Sequence, residues 1–147
     1  MTRTKKLQPV VQHVDQKEQN ALQSVAASQR QLELQETRLR QLRDYKNEYT
    51  DRHLKPQSII YTAFQFQEYN RFLTQLDETI KRQEQVMQMA QREVDIKRQK
   101  WKLSRSRSEA KHKMVDRIQA TEHQQAEKLE QKLMDEAALR NLQKKPV

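Results

Sequence analysis

The sequence predicts an all-α fold: a long antiparallel two-helix coiled coil, an α-hairpin, with a C-terminal helical overhang. Three observations predict it. From Tyr69 to Trp101 apolar residues recur at alternating spacings of four and three. Leu73, Ile80, Met87, Val94 and Trp101 fall seven apart, and Tyr69, Leu76 and Ala90 lie on the interleaved series. Only Gln83 and Lys97 break that row. A period of 3.5 held this long describes a helix whose stripe needs a second helix to cover it. The 147 residues also include no glycine and only three prolines, Pro9, Pro56 and Pro146, so few bends are available. Finally, 34% hydrophobic against 33% charged residues, with eight aromatics, is too little apolar surface for a compact globular core of this length.

The first helix is expected at about residues 9–54. Pro9 suits a first turn, and Pro56 disfavours helical geometry at Lys55. Its heptads run Val11, Val14, Glu18, Ala21, Val25, Ser28, Leu32, Gln35, Leu39, Leu42, Lys46 and Tyr49. Residues 55–61 read as the hinge. The second helix is expected at about 62–141, opening on Thr62 and Gln65 at the spacing of a capping box, with a short tail at 142–147. The whole chain reads as one coiled-coil domain.

A short connection makes the helices antiparallel, and setting Leu54 opposite Thr62 places Val11 opposite about residue 105. The stripe of the second helix thins where that partner would run out. From Ser104 to Glu136 the same register reads Ser104, Ser108, Lys111, Val115, Ile118, Glu122, Gln125, Leu129, Lys132, Glu136, of which three are apolar. The expectation is therefore an uncovered overhang beginning near residue 105.

Charge is uneven. The chain carries a net +9, and nine cations fall between 97 and 117: Lys97, Arg98, Lys100, Lys102, Arg105, Arg107, Lys111, Lys113 and Arg117. A solvated helix surface is one reading; an anionic partner, whether acidic protein, nucleic acid or membrane surface, is the other. Base-stacking aromatics are nearly absent from the stretch, which makes nucleic acid an unfavoured alternative.

Nothing in the sequence points to catalysis. A phosphate-cradling loop needs glycine, and the absence of cysteine removes disulfides and thiolate metal sites. Glu109 and His112 have the Glu-x-x-His spacing of di-iron bundles, but no second such pair appears. No cofactor or metal is expected. No apolar run approaches the length a signal peptide or a membrane span needs, so a soluble cytosolic protein is expected.

In the heptad lettering both Tyr45 and Phe72 occupy g, which places them on the same side of an antiparallel seam. They should be neighbours on an outer face, joined by the edges of Leu42, Tyr49 and Leu76. The patch reads either as a widened seam or as a docking surface.

The stretch Leu39–Tyr49, LRQLRDYKNEY, with Tyr69–Gln83, YNRFLTQLDETIKRQ, closely resembles the bacterial flagellar export protein family FliJ. The similarity runs more loosely through Trp101 into the charged tail. That resemblance implies a non-enzymatic component of the type III flagellar export apparatus. It implies a coiled coil like the stalk of rotary ATPases, linking the hexameric export ATPase ring to the membrane export gate and escorting export chaperones. It places the protein in the cytoplasm, peripheral at the inner face of the membrane. It also implies that Leu42, Tyr45, Tyr49, Phe72 and Leu76 bind the cytoplasmic part of the gate, and that the ring is met at the end of the coiled coil carrying the termini.

Overall fold

A computed structural model describes residues 2–54 and 62–144, the side chains at 53 and 54 excepted; the expected hinge at 55–61 lies outside the described residues. Two helices make up the fold, α1 (Arg3–Leu54) and α2 (Ala63–Gln143), in an all-α helical hairpin. The capping box is present at the start of α2. Thr62 Oγ1 accepts from the Gln65 amide at 3.2 Å, and Gln65 Oε1 accepts from the Thr62 amide at 3.0 Å. Two of the donors that a helix start leaves without intrahelical partners are thereby satisfied.

By internal contacts the chain divides into two compact units, Asn20–Trp101 and Met1–Gln19 with Lys102–Val147. In the first, α1 and α2 pack antiparallel along the seam the heptads describe. Val25, Leu39, Leu76, Ile80 and Val94 are its buried apolar residues, with Val94 fully enclosed. Leu39, Leu76 and Ile80 form one cluster, against which Leu42, Phe72 and Met87 pack. The polar seam residue Gln83 meets its counterpart Gln35: Gln83 Nε2 donates to the Gln35 side chain at 2.8 Å and to its backbone carbonyl at 3.1 Å. A polar pair inside an apolar seam disfavours slipped registers, because a slip would bury amides without partners.

The second unit corrects two expectations. Helix α1 starts at Arg3, six residues before Pro9, which sits inside it. Thr2 caps the start, its Oγ1 accepting from the Lys5 amide at 3.4 Å. Thr4 and Leu7 thereby extend the seam by two positions; Thr4 is buried and Leu7 half-buried. The overhang consequently begins later than residue 105. Asp15 reaches Ser108 and His112, and Thr4 reaches Glu122, about two to three turns further along α2 than the expected pairing. Ser104, Ser108, Lys111, Val115, Ile118 and Glu122 are all buried or half-buried, whereas every residue from 123 to 144 is exposed. The thinning of the apolar stripe after Trp101 therefore marks a polar seam rather than a missing partner. Its side chains bond one another across the helices: Thr4 Oγ1 donates to Glu122 at 2.7 Å, Ser108 Oγ donates to Asp15 Oδ1 at 2.7 Å, and His112 Nε2 lies 2.8 Å from that oxygen.

These contacts lower the pKa of two carboxyl groups. The Ser108 hydroxyl, and next the His112 ring, hold the Asp15 carboxyl below its ordinary value of 3.8. The Thr4 hydroxyl acts in the same direction on Glu122. A carboxyl held low in the folded state contributes stability above its unfolded value, and that contribution is lost as pH falls through the folded value. Asp15→Asn is accordingly expected to lose less stability than the native chain as pH falls from above the ordinary value of 3.8 through the lower value of the folded state, in urea titrations followed by circular dichroism. An identical acid limb in both proteins would show that Asp15 contributes nothing across the seam.

Candidate functional site

The aromatic patch is built in the unit Asn20–Trp101, where seven-residue periodicity brings the g edges of α1 and α2 to the same flank. Tyr45 and Phe72 meet edge to face at 6.2 Å between ring centroids. Tyr49 lies at 4.6 Å from Phe72 and stacks on Tyr45 at 6.5 Å. Edge-to-face and offset geometries suit rings whose faces are electron-rich and whose edges are electron-poor.

The five residues expected in this patch play different parts. Leu76, 7% exposed, belongs to the core cluster, and Leu42 and Phe72 pack against that cluster. Tyr49 is half-buried, while Tyr45 remains 50% exposed. The patch is thus divided: Leu76 lies in the seam itself, Phe72 widens it from the flank, and Tyr45 faces outward. Tyr69, a seam residue by its heptad position, also stacks on Tyr49 at 5.2 Å and completes the aromatic row. Its d position opposite Tyr49 was the signal that could have found it.

The other flank of this unit has a different chemistry. Arg43 pairs with Glu84 at 3.1 Å and Lys46 with Asp77, and Arg43, Glu84 and Asp77 all occupy e positions. The lettering that paired Tyr45 with Phe72 could equally have paired these charges. One flank is thus laced by ion pairs and the other carries aromatic rings.

The basic stretch spans both units and lies on the paired length of α2 rather than on the overhang. In the unit Asn20–Trp101, Lys97 is half-buried in the seam and pairs with Glu93 at 3.6 Å, while Arg98 and Lys100 are exposed. In the other unit Lys111 is half-buried and Arg105 pairs with Glu109 at 3.1 Å. There Lys102, Arg105, Arg107, Lys111, Lys113 and Arg117 occupy six different heptad positions, so they coat the helix on all sides. A nucleic-acid track would need them along one face.

Glu109 and His112 turn to different partners, Arg105 and Asp15, so their helical spacing does not bring them to a common ligand. Among the described residues no group of three or more His, Asp or Glu side chains could hold a metal ion. No described helix is long and apolar enough to cross a membrane.

The family described as "Flagellar FliJ protein" matches residues 4–146, nearly the whole chain. No curated protein and no solved structure matches it. The match takes in both helices, the aromatic patch and the polar seam, and lends no support to the nucleic-acid alternative. The chain belongs to the flagellar FliJ family and is thereby a flagellar export-related protein.

Proposed function

We propose that the protein is a non-enzymatic, stalk-like coiled coil of the flagellar type III export apparatus, joining the export ATPase ring to the cytoplasmic part of the membrane export gate. In this reading it also escorts export chaperones, and it works in the cytoplasm, peripherally at the inner membrane. The observation that carries the proposal is Tyr45, a half-exposed tyrosine mounted on a rigid aromatic row beside a packed seam. Aromatic side chains held in place lose little conformational entropy on binding and are favoured anchors at protein interfaces. The gate-binding set narrows accordingly: Tyr45 makes direct contact, Tyr49 and Phe72 orient it, and Leu42 and Leu76 hold the two helices in register beneath it.

The ring would be met in the unit that contains the termini. There the length of α2 from 123 to 143 is exposed throughout, with Leu129, Leu133, Met134, Leu139 and Leu142 all more than half uncovered. The basic residues of the neighbouring paired length favour an acidic partner surface.

The test is co-purification of the full chain with the purified export ATPase and, separately, with the cytoplasmic part of the gate. Capture by both is expected. Failure of either partner to bind at micromolar concentration would overturn the linking role.

A further inference from the structure

We infer that the aromatic flank continues, beyond the proposed gate patch, into a second docking surface in the unit Asn20–Trp101 that takes an amphipathic α-helix with acidic borders. The inference stands independently of the stalk reading. On α2 the c and g positions lie side by side around the helix, and from residue 86 onward they read Val86, Met89, Glu93 and Ile96. Met89 is 67% exposed and Ile96 49%, and Val86 is also exposed. These are large apolar side chains at heptad spacing outside the seam. They form a second stripe that the pairing of α1 with α2 leaves uncovered.

Facing that stripe, α1 contributes small residues. An open groove between the helices is lined by Ser24, Ala27, Ser28 and Gln31 from α1 and by Ala90, Glu93 and Lys97 from α2. Leu34, exposed, stands beside it on α1. A low floor of alanine and serine, bordered by Leu34 on α1 and by Met89 and Ile96 on α2, has the shape that admits the leucine knobs of a third helix. The stretch from Arg82 to Lys100 is about 27 Å long, some five helical turns.

Charge decides the occupant. Arg38, Arg82 and Lys100 occupy c and g positions along this flank, and none of them joins an ion pair among the described residues. The carboxylate that lines the groove, Glu93, is paired with Lys97, which lines it too. A second copy of this flank would oppose cations to cations. A helix with glutamate or aspartate beside its apolar stripe would meet them with opposite charge. The interhelical ion pairs of this unit lie on the other flank, so they neither occupy nor block the groove.

The probe is a fluorescent helical peptide of about 20 residues with leucine at a and d and glutamate at e and g, kept monomeric by dilution, with a counterpart carrying lysine at e and g. Full-length protein is expected to bind the glutamate peptide at micromolar concentration and the lysine peptide at least about tenfold more weakly. Met89→Gln with Ile96→Gln should weaken the glutamate peptide by about tenfold or more without lowering the unfolding midpoint, because both side chains are exposed. Met89→Gln alone serves if the double variant loses helicity. Arg82→Gln with Lys100→Gln should reduce the preference between peptides. Equal binding of the two peptides, or binding unchanged in the Met89 and Ile96 variants, would overturn the inference. So would a concentration-dependent dimer in sedimentation that Met89→Gln abolishes, which would make a second copy the occupant.

Discussion

Leu39→Ala is expected to destabilise the helix pair by about 2–3 kcal/mol, measured as a fall in the urea midpoint by circular dichroism. Leu39 is 3% exposed and sits in the cluster with Leu76 and Ile80, where Leu42, Phe72 and Met87 close around it. Truncation removes three carbon atoms from that cluster and leaves a void that two facing helices fill only partly. The expectation lies at the low end of the roughly 2–5 kcal/mol seen for buried leucines, because a seam bordered by solvent relaxes more easily than the centre of a globule. Against a total stability of order 5–15 kcal/mol the loss is large. Leu34→Ala supplies the control: the same substitution on the same helix, at an exposed position, should cost about 0.5 kcal/mol. Equal losses at the two sites would mean that the buried seam is not what holds α1 to α2.

Tyr45→Ala is expected to weaken binding to the cytoplasmic part of the gate by at least about tenfold while lowering stability by about 1 kcal/mol or less. The two effects separate because Tyr45 is half exposed and contributes to the fold chiefly through its ring contacts with Phe72 and Tyr49. Leu76→Ala should show the reverse pattern. It loses about 2–3 kcal/mol from the core cluster, and gate binding falls only as far as the fold does. Tyr45→Phe, which keeps the ring, should retain most of the binding if the contact is apolar. Native affinity in Tyr45→Ala, measured by calorimetry at one temperature and salt concentration, would remove the patch from the gate interface.

Much of this was legible from the order of residues. The five buried apolar residues, Val25, Leu39, Leu76, Ile80 and Val94, all fall on the heptads, because a 3.5-residue period leaves a helix only one face to bury. The capping box at Thr62 and Gln65 was readable for a similar reason, since it is a local exchange of two hydrogen bonds at a fixed spacing. The neighbourhood of Tyr45 and Phe72 followed from the heptad lettering, the antiparallel direction and the place of the hinge. The end of the paired region was not legible. A count of apolar residues treats Ser108 and Glu122 as gaps, whereas in the folded chain each has a polar partner about a hundred residues away.

The amino-acid sequence by itself determined that the chain is helical, where α2 begins, which face of each helix is buried and which family the protein belongs to. All of these depend on local propensity, on spacing within one helix, or on residue identity. Only the tertiary structure decided how far the pairing extends, that Tyr69 joins the aromatic row, and that Ser108 and Glu122 have partners on α1. These depend on which side chains meet across the seam, and a hydrogen bond between residues distant along the chain leaves no periodic trace in either helix.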